Sequence, residues 1–159
     1  MTNNLTNFAI GVAGSIVASL IFLCSACASA FFTRRSKAKP FVGRYRMLSA
    51  ATHEPYGGTV TIERVASISL TSDVSLLALV AEHGDGTEDW TAVVEVLGYS
   101  RMATGFFTYR KLYDGGAIRL LASEDGHTIE EYGTPHKSAP FTNLLDRIER
   151  KTTLWSVTL

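Results

Sequence analysis

The sequence predicts an N-terminal single transmembrane α-helix followed by an all-β domain, a small antiparallel up-and-down β-barrel of about eight strands. Three observations lead there. Residues 8–32 form a run of 25 positions without a charge. From Phe41 onward, short β-branched and aromatic segments alternate with turn residues, and Asp-Gly steps mark tight hairpins between several of them. A length of 159 residues admits one ordinary domain and excludes a two-domain enzyme. The organisation expected is a short extracytoplasmic N-terminus (1–7), a transmembrane helix (8–32), a basic juxtamembrane linker (33–40) and a cytoplasmic barrel (41–159).

The uncharged run extends roughly 37 Å as a helix, enough to cross a hydrocarbon core with some tilt. A cleaved signal peptide competes with this reading, because Ala26-Cys27-Ala28 and Ala28-Ser29-Ala30 resemble small-x-small cleavage sites. Two features oppose it: residues 1–7 hold no Lys or Arg, and Thr33-Arg34-Arg35-Ser36-Lys37 stops the run. Positive charge stays on the cytoplasmic side, so Arg34, Arg35, Lys37 and Lys39 place the N-terminus outside and the barrel inside, in an inner membrane crossed once. Gly11, Ser15 and Ser19, and beside them Gly14 and Ala18, form two small-residue strips on which helix backbones approach closely, and they predict a homo-oligomer through the helix. Cys24 and Cys27 sit in this apolar run and read as inert small residues.

After Pro40 the strands follow one another. Expected segments are 42–49, 59–64, 67–70, 75–82, 89–97, 105–113, 117–123 and 128–132, with a closing strand at 153–159. Gly84-Asp85-Gly86, Asp114-Gly115-Gly116 and Asp125-Gly126 suit the positive-φ positions of hairpin loops. Residues 141–151 stay open between helix and strand. Phe141, Leu144, Leu145 and Ile148 recur with helical spacing, while alternation fits nearly as well.

Net charge is zero, yet residues 40–159 hold 11 basic against 15 acidic side chains, a balance of −4. A basic binder of DNA or RNA polymers is therefore not expected. Neither a metal nor another cofactor is expected: His53, His83, His127 and His136 show no ligand spacing. No catalytic residues are assigned. Asp125, His127, Glu130 and Glu131 form the densest titratable cluster and read as the solvated charges of a hairpin, with no nucleophile beside them. The glycine steps lack the strand-to-helix context and lysine of a phosphate loop.

Binding is the stronger class, since a small barrel presents alternate side chains to a cavity or mouth. Alternation turns Tyr45 and Met47 inward and Arg44 and Arg46 outward. It also places Arg64 on the face of Val60 and Ile62, where a guanidinium needs an acid or a ligand phosphate as partner. Tyr109 shares a face with Phe107, and Tyr99 pairs with Arg101 near a strand end. Arginine beside aromatic rings stacks on bases and holds phosphates, so Arg64, Tyr99, Arg101, Tyr109 and Tyr132 are the candidate ligand residues, on side-chain chemistry alone.

Phe41-Val42-Gly43-Arg44-Tyr45, Gly105-Phe106-Phe107-Thr108-Tyr109 and Glu131-Tyr132-Gly133 resemble segments of lipocalin-like small barrels. A membrane helix before such a barrel is similar to the minimal β-barrel effectors of bacterial anti-phage signalling, the CBASS type. That resemblance spans roughly residues 8–150 and implies that the barrel binds a cyclic dinucleotide, that the protein oligomerises in the membrane, and that membrane integrity is lost. Two departures stand beside it: those effectors commonly carry two membrane helices, and Tyr45 occupies the place of the usual lipocalin tryptophan. The alternative from another class is a membrane-tethered carrier or scaffold for an apolar molecule or a partner protein.

Overall fold

The computed structural model describes residues 2–65, 72–98, 100–110 and 114–148, the side chains of residues 2–11 and 56 excepted. Helix α1 spans Thr2–Ala38, so the segment read as a linker is helical through Ala38. Nothing between Thr33 and Ala38 breaks a helix, Arg35 and Lys37 lie where the C-terminal end of the dipole favours cations, and Pro40 disfavours helical backbone at the residue before it. The freed carbonyls are taken up at once. The amides of Phe41 and Val42 donate to the Ala38 carbonyl at 3.0 and 3.2 Å, and that of Lys39 to Ser36 at 3.3 Å. Over Val12–Ala38 the helix is long and apolar enough to cross a membrane, a length and composition that a signal sequence shares.

Eight strands follow: β1 (Gly43–Ser49), β2 (Pro55–Arg64), β3 (Leu76–His83), β4 (Glu88–Val96), β5 (Met102–Tyr109), β6 (Gly115–Ala122), β7 (Thr128–Pro135) and β8 (Phe141–Arg147). Each pairs antiparallel with its sequence neighbour, and β1 pairs with β8 to close the barrel. Residues 141–147 are thus a strand. The edges of β1 and β7 each need a partner, and a strand between them satisfies both rows of backbone groups, which a helix cannot. The expected strands at 67–70 and 153–159 lie outside the described residues.

Alternation decides what fills the interior. Tyr45, Val60, Ile62, Leu77, Leu79, Trp90, Val94, Phe107, Ile118, Leu120, Ile129 and Leu145 are all nearly fully buried, as expected for a bore that eight strands leave just wide enough for side chains. Phe107 is central, meeting Tyr109 at 5.3 Å, Phe141 at 5.7 Å and Trp90 at 6.2 Å, each edge to face. Glycine is required where walls come close. A Cβ on Gly133 would lie 2.0 Å from Phe141 Cζ, and one on Gly105 would lie 2.0 Å from the Val93 carbonyl oxygen.

The register gives the barrel two distinct ends. The helix-proximal end carries residues 39–42, the described ends of the β2–β3 and β4–β5 connections, the β6–β7 turn and Ile148 after β8. The far end carries the other four connections. Chain from the helix stoppers the first of these. Ala38 and Phe41 are fully buried in the barrel core, and the Lys37 ammonium, nearly buried itself, sits 2.8 Å from the Asp73 carboxylate. Hydrogen bonding from Lys37 holds Asp73 below the usual carboxylate range.

Candidate functional site

The four candidate ligand residues that are described divide among the two ends of the barrel and its outer wall. Arg64 is exposed at the helix-proximal end, which corrects the expectation of a core guanidinium. As the last residue of β2 it shares the inward parity of Ile62, but there the wall ends and its long side chain reaches water. Arg101 is exposed at the same end, in the β4–β5 connection. Tyr109 faces inward at the far end. Tyr132 is on the outer wall, because Glu131, its neighbour, takes the inward position. Tyr99 lies outside the described residues.

Three of the five line separate surface clefts: Tyr109 lines one of about 480 Å³ at the far end with Phe106, Phe107, Asp114 and His136, and Arg101 and Tyr132 line two others. Arg101 joins Lys39, Pro40, Arg147 and the turn residues Glu124, Asp125 and Gly126 around a cleft of about 390 Å³ at the helix-proximal end. Arg147, at the inward-facing end of β8, is the residue that sequence alone missed here. Its Nη2 donates to the Pro40 carbonyl at 2.9 Å and to the Tyr45 hydroxyl at 2.6 Å, and its guanidinium lies 5.2 Å from the Tyr45 ring centre. Tyr45 in turn donates to the Phe41 carbonyl at 2.8 Å, while Arg147 Nε is buried without a partner. Burial raises the Tyr45 pKa, and Arg147 opposes the rise. Arg147 therefore ties β1, β8 and the chain leaving the helix into one joint, with cationic atoms at the cleft floor. Opposite it, Asp125 is spent locally. Its carboxylate accepts from Ser123 Oγ at 2.6 Å and from the His127 amide at 2.9 Å, and the Ser123 bond holds its pKa down.

Tyr132 lines an outer-wall groove of about 730 Å³ with Glu95, Phe106, Arg119 and Phe141. The Arg119 guanidinium stacks 4.7 Å from its ring centre, and its hydroxyl donates to Glu130, which raises its pKa. Phe106 is 73 % exposed in this groove.

The far half of the bore holds a third group. Glu131 is fully buried between Ile129 and Gly133 on β7, correcting its assignment to a solvated hairpin. The cause is parity, since Glu130 and Glu131 are adjacent and one of them must point inward. Asn143 Nδ2 donates to its Oε2 at 3.0 Å, and Oε1 has no partner. Burial pushes its pKa up to about 7 against the Asn143 bond. Tyr109 is raised too, first by burial and then by the charges of Asp89, Glu131 and Asp114. This end is aromatic and acidic, a poor host for phosphate.

In the helix, Ser19 Oγ donates to the Ser15 carbonyl at 2.9 Å, a Cβ on Gly14 would meet nothing within 4 Å, and residues 12–19, Ala18 among them, are exposed. Gly11 is helical.

No family model matches this chain. No curated protein matches it either. Among solved structures it is similar to a de novo designed fluorescence-activating β-barrel, at 15 % identity over 71 % of this chain and 98 % of that one, with a TM-score of 0.46. The barrel itself is established by its own closed register.

Proposed function

We propose that this chain is a membrane-anchored receptor-effector, in which α1 crosses the inner membrane once and the cytoplasmic barrel senses a cyclic nucleotide in anti-phage defence. The observation that carries the reading is the joint. The helix runs unbroken from its apolar stretch to Ala38, and the next residues are held inside the barrel mouth by Arg147, Tyr45 and the buried Phe41. A ligand in the cleft of Lys39, Arg101 and Arg147 would touch the very residues that fix the helix to the barrel. Its phosphates would meet three cations there, two of them on exposed, long side chains suited to charge-assisted pairing. Reorientation of the helix would then bring the two adjacent strips, Gly11, Ser15 and Ser19 and Gly14 and Ala18, of one copy onto another, and assembly of such helices is the route to membrane disruption.

Calorimetric titration and native mass spectrometry of the full chain in detergent, against a panel of cyclic dinucleotides, test this. Binding with a rise in oligomer mass is expected, and Arg101→Ala should weaken it roughly thirtyfold, as for loss of one charge-assisted pair of about 2 kcal/mol. No binding at millimolar concentration, or an affinity indifferent to Arg101→Ala and Arg147→Ala, refutes the reading. A topology reporter fused after Leu159 should be active in the cytoplasm; activity outside refutes the orientation.

A second reading has its own support. Phe106, Phe107 and Tyr109 line a cleft of about 480 Å³ at the far end, with Asp114 and His136 beside them. That suits an apolar or hydrogen-bond-donating molecule held by a tethered carrier. Binding that responds to Tyr109→Ala and not to Arg101→Ala would select it.

A further inference from the structure

The two ends of the barrel differ in the apolar side chains they expose. Outside the helix, the exposed large apolar side chains among the described residues are Val65, Val74, Val93, Leu97, Phe106, Leu121 and Ile148. Val93, Phe106 and Leu121 belong to the outer wall. The other four, from 36 to 39 % exposed, all sit on the helix-proximal rim: Val65 and Val74 flank the β2–β3 connection, Leu97 opens the β4–β5 connection, and Ile148 follows β8. Among the described residues the far-end connections contribute none. Lys39, Arg64 and Arg101 share that rim, all exposed and without an ion pair among the described residues.

The height of this rim relative to the helix is fixed by two contacts. Ser75 Oγ, at the start of β3, donates to the Arg34 carbonyl at 3.2 Å, and one turn further on Lys37 pairs with Asp73 of the same connection. The rim therefore stands level with the first charged residues of the helix, where an apolar run gives way to headgroups. Apolar residues that would be idle in water are then at the depth where they are buried, and the cations beside them are at the depth of phosphate. The β6–β7 turn, with Glu124 and Asp125 exposed, lines the cleft beside Lys39 and Arg101, so Arg64, outside that cleft, is the cation with no carboxylate of this turn beside it.

We propose that the helix-proximal rim is a lipid-docking surface, in which Val65, Val74, Leu97 and Ile148 enter the interfacial layer while Lys39, Arg64 and Arg101 bind the phosphates of anionic phospholipids. It rests on the reading of α1 as a membrane span, and it adds that the barrel lies on the bilayer instead of hanging below it. Seated so, the rim holds the cleft of Lys39, Arg101 and Arg147 at the membrane surface.

The test uses the full chain with Cys24→Ser and Cys27→Ser, reconstituted in phosphatidylcholine vesicles with and without phosphatidylglycerol. An environment-sensitive probe is attached at Val74→Cys, Leu97→Cys or, at the far end, Ala51→Cys. With phosphatidylglycerol present, the probes at 74 and 97 should shift to the blue and be quenched by brominated lipid, and the probe at 51 should do neither. Arg64→Gln with Arg101→Gln should reduce the quenching at 74 and 97. Water-like emission at 74 and 97 in protein that resists alkaline carbonate extraction overturns the docking surface alone. Release by carbonate overturns the span and the docking surface together. Equal quenching with and without phosphatidylglycerol overturns the role given to the cations.

Discussion

Replacing Glu131 by Gln removes a carboxyl that the barrel buries completely, and its consequence depends on pH in a defined direction. Burial lifts the Glu131 pKa from an ordinary 4.5 to about 7. Between those values the folded protein holds a proton that the unfolded chain releases, so stability falls as pH rises through the window and levels off above it. A separation of roughly 2.5 units at about 1.4 kcal/mol each is a penalty of about 3 kcal/mol at pH 8 and almost none at pH 4. Glutamine keeps an acceptor for Asn143 Nδ2 and cannot ionise. The variant should therefore match wild type near pH 4 and gain about 3 kcal/mol over it at pH 8, on the order of 10 °C in Tm for a domain of this size. Thermal melts of the full chain in detergent, followed by circular dichroism from pH 4 to 8, measure the difference. An infrared carboxyl band that disappears near pH 7 in wild type and is missing in the variant identifies the group. Stability curves that stay parallel across the window would refute the burial argument, whatever their absolute spacing.

Gly133→Ala pushes a Cβ onto the Phe141 ring and should cost about 2 kcal/mol, part of it recovered by Phe141→Leu in the double variant. A cost under about 0.5 kcal/mol, within the range of ordinary surface changes, contradicts the packing described. Phe41→Ala empties a fully buried site at the mouth and should destabilise by about 3 kcal/mol, with hydrogen exchange rising first at residues 39–48; uniform loss of protection would dissociate Phe41 from the joint. Gly14→Leu should reduce cross-linked oligomer in membranes by an amount equivalent to about 1 kcal/mol, whereas Val12→Leu should change little. Equal yields for both remove the small-residue strip from the assembly.

Local pattern alone determined a good deal of this protein. An uncharged run of 25 residues is a helix because nothing in it breaks helical backbone and each amide finds its acceptor within the segment. Period-two alternation with the Asp85-Gly86 and Asp125-Gly126 turns, both glycines at positive φ, places most strands within a few residues of where they lie, whereas Gly115 and Gly116 belong to β6 itself. Tyr45 and Met47 inward, Arg44 and Arg46 outward, follow from parity within one strand. Tertiary structure decided whatever depends on where a strand stops and what lies across from it. Arg64 has the parity of a core residue and the exposure of a rim residue, because alternation carries no information about the height of the wall. Residues 141–147 satisfy a helical and a strand pattern alike, and closure chose the strand by supplying hydrogen-bond partners on both edges. The adjacent acids Glu130 and Glu131 look equivalent in the sequence; only the register with Asn143 shows which one is inside. Arg147 and Phe41 are 106 residues apart in the chain and meet through the Tyr45 hydroxyl and its neighbours only once the barrel has closed.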